Sequence, residues 1–195
     1  MTIYTDVRDG VFGYTNRDDL TAETDTAIRQ AVRTAHRAGS FWRDLVSLSL
    51  TGQDTTEAIQ TIDLSAVAPK FKQLAYIGPT DSELRYDPVD IKDLLDPEYK
   101  VYRTNVCYGL GSNLIIRPAA AVADLTLVYW SFPTVSPIAD LDSWIAEKFP
   151  DLVICWAAAT VLSMIGEQEV KARVEALAKI EYQTLIADNL LIQRS

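Results

Sequence analysis

Residues 142–191 read DSWIAEKFPDLVICWAAATVLSMIGEQEVKARVEALAKIEYQTLIADNLL. Two consecutive helices are written there. Asp140 or Asp142 is placed to cap a short helix through Lys148, and Pro150 fits the first turn of the next, where its missing N–H has no partner to lose. Leu152–Ile165 is apolar on nearly every side, which predicts burial on nearly every side. Gly166 supplies the stop. From Glu167 to about Asn189 the pattern is charged and amphipathic. Val170, Val174 and Leu177 form an expected apolar stripe, and Glu167 with Lys171 and Glu175 with Lys179 stand at the i,i+4 spacing of supporting ion pairs.

Upstream, residues 41–132 read as an antiparallel β insertion. Val46, Leu48 and Leu50 alternate with Ser47, Ser49 and Thr51, the period of a strand with one buried face. Further strands are expected near Ile59–Leu64, over Phe71–Ile77 and over Tyr99–Tyr108, the last with Tyr102, Thr104, Val106 and Tyr108 on one side. Val89–Leu95, between two Asp-Pro pairs, predicts one or two helical turns. Gly109–Asn113 reads as a hairpin connection into Leu114–Arg117. Ala123–Phe132 is the last strand, with Leu125, Leu127 and Tyr129 opposite Thr126, Val128 and Trp130. Without alternating βα units, an antiparallel sheet or small sandwich fits better than a parallel sheet.

Residues 16–39 carry the first helix, from about Asp18 to Ala38. Leu20, Ile28, Ala31, Val32 and Ala35 share one face, with acids crowding its start and Arg33, His36 and Arg37 its end, as the helix dipole favours. Residues 1–15 lack periodicity and read as an extended arm docked by its aromatics or as a frayed end. The fold class is therefore α+β: an N-terminal helix, an inserted antiparallel β region and a C-terminal pair of long helices over 140–192, packed as a small bundle in one domain.

Bulk composition narrows the function classes. A hydrophobic share of 48% supports a real core. The net charge of −9 argues against broad binding to nucleic acid or anionic membrane. No basic-then-apolar leader opens the chain, and the longest apolar run falls short of the ~20 residues that span a bilayer. A soluble protein is expected. Cys107 and Cys155, the two cysteines, read as buried free thiols.

No catalytic constellation assembles from the sequence. Two cysteines and one histidine cannot build a thiolate metal site. A Ser-His or Cys-His site would need His36, which sits where a helix end favours a cation. Gly109-Leu110-Gly111 lacks the third glycine and following helix of a dinucleotide fingerprint. Glu98-Tyr99-Lys100, with Asp87, Asp90 and Asp93 upstream, faintly resembles a nuclease acidic cluster, but a three-residue motif is common by chance and the stretch reads first as a solvated turn rich in Asp and Pro. No cofactor or metal is expected.

Two surface features stand out instead. Arg29, Arg33 and Arg37 stack along one stripe beside the apolar face of the first helix, either as a solvated face partly paired with local carboxylates or as a contact for an acidic neighbour. Asp188, Asn189, Leu190, Leu191 and Ile192 end the chain as a last packed turn or as a docking peptide. Trp42, Trp130, Trp144 and Trp156 read mostly as core; Trp144 is the best candidate among them for an exposed or interfacial aromatic, with core the leading alternative.

The run from Asp142 to Pro150, the apolar helix with Ala157-Ala158-Ala159, then Gly166-Glu167, Glu175 and Asp188-Asn189-Leu190-Leu191 resemble the head-to-tail connector (adaptor) proteins of tailed bacteriophages. The resemblance covers most of the chain in element order and about its last quarter in detail. It implies a non-enzymatic virion protein, assembled as a ring, usually twelve-fold, beneath the portal. Such a ring extends the DNA channel, lets DNA pass without sequence-specific binding, and presents a surface to the tail or nozzle. It further implies portal-side or subunit-side contacts for Arg29, Arg33 and Arg37 and for the segment from Asp188 to Ile192, with no membrane partner. A small acidic metal-dependent hydrolase around Asp93 and Glu98, and a monomeric regulatory or binding protein, are the alternatives.

Overall fold

The computed structural model describes residues 2–52, 59–95 and 104–192 and has the expected α+β character. Two compact units are present: residues 1–43 with 132–195, and Asp44–Ser131. Glu98, Lys100 and Tyr102 lie outside the described residues.

The helical unit holds α1 (Ile3–Thr15), α2 (Thr21–Arg37), α5 (Trp144–Lys148), α6 (Pro150–Ile165) and α7 (Gln168–Ile192). α1 corrects the reading of residues 1–15 as an arm or frayed end. The Thr2 hydroxyl caps it by accepting from the Thr5 N–H, and Asn16, at φ 52°, closes it in the left-handed region. Val7, Val11 and Thr15, one turn apart, are buried. Gly10 and Gly13 weaken the helical signal in the sequence. Gly10 has a packing reason: a Cβ there would lie 3.0 Å from Cγ1 of Ile154 on α6. Close packing onto α6 outweighs the propensity cost.

α2 buries Ala27, Ile28, Ala31, Val32 and Ala35, the anticipated face. α5 is capped by Ser143, whose hydroxyl accepts from the Ala146 N–H, rather than by Asp140 or Asp142. α6 is buried on nearly all sides, with Leu152, Val153, Ala157, Ala158 and Val161 fully inaccessible. Each large apolar side chain so buried contributes about 1.5–3 kcal/mol. Pro150 opens the helix and Gly166, at φ 85°, ends it.

The stripe expected on α7 is corrected. Leu177 is 45% exposed, while Val174, Ala178 and Leu185 are buried, with Val170, Tyr182 and Ile186 packed against the same core. At 3.6 residues per turn the +4 progression from Val170 through Val174, Ala178 and Tyr182 stays on the core side, and Leu177 rotates off it. The ion pairs also differ: Glu169 pairs with Arg173 and Lys171 with Glu175.

The second unit is a small sandwich. One sheet has the order β1 (Leu45–Leu50), β7 (Leu125–Ser131), β3 (Phe71–Pro79), antiparallel throughout. The other has the order β2 (Gln60–Asp63), β6 (Asn113–Arg117), β5 (Val106–Leu110), β4 (Asp87–Pro88). The two-residue β4 pairs with β5 in parallel, the one departure from the antiparallel expectation among the described strands. Short helices α3 (Leu64–Val67) and α4 (Ile91–Leu95) sit in the connections. Leu50, Ile77, Leu125 and Leu127 from the first sheet meet Ile62, Cys107, Leu114 and Ile116 from the second in one core. Cys107 and Val106 are both buried, as are Leu114, Ile115 and Ile116 in succession, so strict alternation fails where both faces of a strand are covered. The β5–β6 turn has Gly111 at φ 61°, the first central position of a two-residue hairpin, where glycine is favoured.

Each core contains one free thiol, Cys155 in the helical unit and Cys107 in the sandwich. Burial pushes the Cys107 thiol up to about 11 and raises that of Cys155. The thiolate is the reactive form, so neither should react with a disulfide reagent at about pH 8 until its unit unfolds. Because folding raises the Cys107 pKa, its contribution to stability is present at neutral pH. That contribution is lost as the pH rises through about 11. Rapid labelling of native protein at about pH 8 would contradict both statements.

Candidate functional site

The arginine stripe is not uniform. Arg33 and Arg37 are exposed and Arg29 is half-buried. The Arg37 guanidinium lies 5.7 Å from the Phe132 ring centroid. The Arg29 Nε is buried with no hydrogen-bond partner among the described residues. No carboxylate among those residues lies within 4.0 Å of any of the three guanidinium groups. Local ion pairing therefore does not account for the stripe.

The C-terminal residues continue α7 to Ile192 as helix. The Asp188 carboxylate lies 4.0 Å from the Arg43 guanidinium, which in turn sits 5.1 Å from the Trp144 ring and 5.3 Å from the Trp42 ring. The Asn189 Oδ1 is buried without a partner among the described residues. Leu190 is half-exposed. Leu191 and Ile192 form the last helical residues. Asp188 is thus tied into its own unit through Arg43.

Trp144 is half-buried at the centre of an aromatic group, edge-on to His36, Phe41 and Phe149. The exposed tryptophan is Trp42. His36, expected as a helix-end cation, is instead a buried ring whose Nε2 lies 2.9 Å from the Ser143 Oγ. This Ser–His pair is 1–2% exposed. A hydroxyl so enclosed that also caps α5 joins α2 to α5; it offers no approach to a substrate.

Among the described residues, no group of three or more His, Cys, Asp or Glu side chains could hold a metal ion. Asp90 caps the start of α4 through the Lys92 N–H, and Asp93 lies in that helix. Glu98 is outside the described residues, so the acidic cluster is not assembled by them. No helix among the described residues is long and apolar enough to cross a membrane.

The helical unit also carries a groove walled by α2, α6 and α7. One cavity of about 570 Å³ is lined by Ala31, Thr34, Trp156 and Ala159, and another of about 430 Å³ by Ala22, Glu23 and Ala27. They share Gln30, Thr160 and Met164, so they form one trough. Met164 is 62% exposed. On α7, Leu177, Ile180 and Leu190 are exposed on the side away from the core. Leu190 belongs to the segment read as a last turn or docking peptide; Leu177, Ile180 and Met164 were not anticipated as surface residues. The available signal was uncharged residues at alternating spacings of four and three along α7. A third cavity, about 480 Å³, opens in the sandwich beside Phe71, Leu74 and the β5–β6 turn.

Comparisons with protein-family models and with curated proteins give no match to this chain.

Proposed function

We propose that this chain is a subunit of a phage head-to-tail connector: a virion protein that works by contact, assembled as a ring between portal and tail, with DNA passing through. The observation that carries the reading is the arginine stripe of α2, which has exposed guanidinium groups and no carboxylate partner among the described residues. An uncompensated cationic stripe on a chain of net charge −9 is suited to an acidic protein neighbour more than to general adhesion to DNA. The resemblance in the last quarter of the sequence supplies the family; the exposed apolar face of α7 supplies a second contact surface on the same unit.

Arg33→Glu with Arg37→Glu reverses the exposed part of the stripe. Incorporation of the variant into particles is expected to fall at least tenfold while its circular dichroism and thiol protection stay those of wild type. Such a fall corresponds to about 1.4 kcal/mol, within reach of two desolvated charge contacts. Undiminished incorporation would return the stripe to a solvated face. Deletion of the gene should leave filled heads without tails, and intact infectious virions lacking this chain would end the connector reading.

A further inference from the structure

We infer that copies of this chain bind one another head to tail, the outer ridge of α7 in one copy seated in the α2/α6/α7 groove of the next. This deepens the ring reading above by naming its subunit contact.

The ridge is built by spacing. Ala176, Ile180, Gln183, Ala187 and Leu190 recur at intervals of four and three, and all are exposed. Leu177 and Thr184 lie beside them, so the face carries no charge from Ala176 to Leu190. That repeat is the seam by which one helix packs on another. At about 100° per residue it points roughly opposite to Val174, Ala178 and Leu185, which α7 spends on its own core. It therefore has no partner among the described residues of its own unit.

The groove is its counterpart. Its floor is Ala27, Ala31 and Ala159, small side chains that admit a helix closely, with Trp156 and Met164 as apolar walls. Charges border both surfaces. Arg33 and Arg37 are exposed on α2 outside the groove's lining, whose own charges are Glu23 on α2 and the Lys171–Glu175 ion pair on α7. The ridge has Glu181 on one flank, where Asp188 is already turned to Arg43 of its own unit, and Lys179 on the other. Seated with Glu181 toward α2, the acidic flank faces Arg33 and Arg37, while Lys179 faces the α7 wall, where Lys171 and Glu175 pair with each other.

The occupant follows from these observations. Groove and ridge belong to one unit and use different sides of α7, about 140° apart by helical rotation. One subunit can then receive a neighbour on one side and enter another on the opposite side, the condition for a heterologous contact that closes into a ring.

Sedimentation velocity on the full chain tests this. Wild type should self-associate with rising concentration. Ile180→Glu spoils the ridge and Met164→Glu the groove; both positions are exposed, so folding should survive. Each variant alone should associate at least about tenfold more weakly. Their equimolar mixture should give a dimer and nothing larger, because one good ridge and one good groove remain. Wild type monomeric at every concentration, or Met164→Glu associating normally, would overturn the contact. Ile180→Cys with Met164→Cys in one chain should give a ladder of oxidised multimers, and no ladder would count equally against it. Self-association by this contact without affinity for portal protein would sink the connector reading and leave the contact standing. Normal incorporation of Met164→Glu into particles would do the reverse.

Discussion

Gly78→Ala is expected to destabilise the sandwich unit strongly while the helical unit keeps its stability. Gly78 lies in β3, where an added Cβ would overlap the Leu84 carbonyl oxygen and the Tyr76 hydroxyl and come within 2.9 Å of the Tyr76 Cζ. A side-chain tip could swing away, but a backbone carbonyl cannot move without taking its segment along. The Tyr76 hydroxyl donates to that same carbonyl at 3.1 Å, so relief of the overlap breaks this bond as well. Overpacking costs about 1–3 kcal/mol and the lost hydrogen bond about 1 kcal/mol more. Against a typical stability of about 5–15 kcal/mol, a loss of about 2–4 kcal/mol should lower the unit's melting temperature by roughly 10–30 °C. The cysteines report which unit weakens: on heating, Cys107 should become reactive at a lower temperature than in wild type and Cys155 should not, since they lie in separate cores. Gly109→Ala is the control. Nothing lies within 4 Å of its added Cβ, and its φ is not in the left-handed region, so stability should change by less than about 0.5 kcal/mol. Protection of Cys107 in Gly78→Ala equal to wild type would show that the β3 segment yields without cost.

Which parts of this fold were legible in the sequence follows from how each element is stabilised. β7 was clear because one face is buried and the other is not: Leu125, Leu127 and Tyr129 alternate with half-buried Thr126, Val128 and Trp130. α6 was clear because burial on all sides demands an apolar run that few other structures use. α1 was hidden because its stability comes from α6 rather than from its own residues. Its glycines are poor helix formers, and only the close approach of Ile154 makes Gly10 suitable. The spacing of Val7, Val11 and Thr15 behind the Thr2 cap was the available signal. The candidate surface divides the same way. Charge spacing marked the arginine stripe, since i,i+4 residues share a face whatever the surroundings. The groove needs three helices in position, and no local pattern encodes it. His36 was misjudged because Ser143, its hydrogen-bond partner, is distant in sequence.

Ala158→Asp is expected to unfold the helical unit, and Thr160→Asp to leave it folded while removing self-association. Both substitutions place one carboxylate on α6, two residues apart, and they differ in which side of the helix carries it. Ala158 is completely inaccessible within the core shared by α1, α2 and α7. An unpaired carboxylate there costs several kcal/mol, enough to consume most of the stability of a single unit. The cost is relieved when the group takes up a proton. The variant's folded-state pKa is therefore raised above the ordinary value of about 3.9, and stability should recover as the pH falls toward that value. Thr160 is half-buried and lines the groove, and its hydroxyl donates to the Trp156 carbonyl of the preceding turn, at 3.0 Å. Its replacement gives up that local bond, worth at most about 1 kcal/mol, and keeps the new charge in reach of water. The arriving ridge of a second copy would bury that charge against uncharged Ile180 and Ala187, which offer it no compensation. Thermal unfolding and sedimentation of the two variants separate these effects. Loss of fold in Thr160→Asp would make the groove wall part of the core, and wild-type association by a folded Thr160→Asp would mean that no neighbour enters the groove.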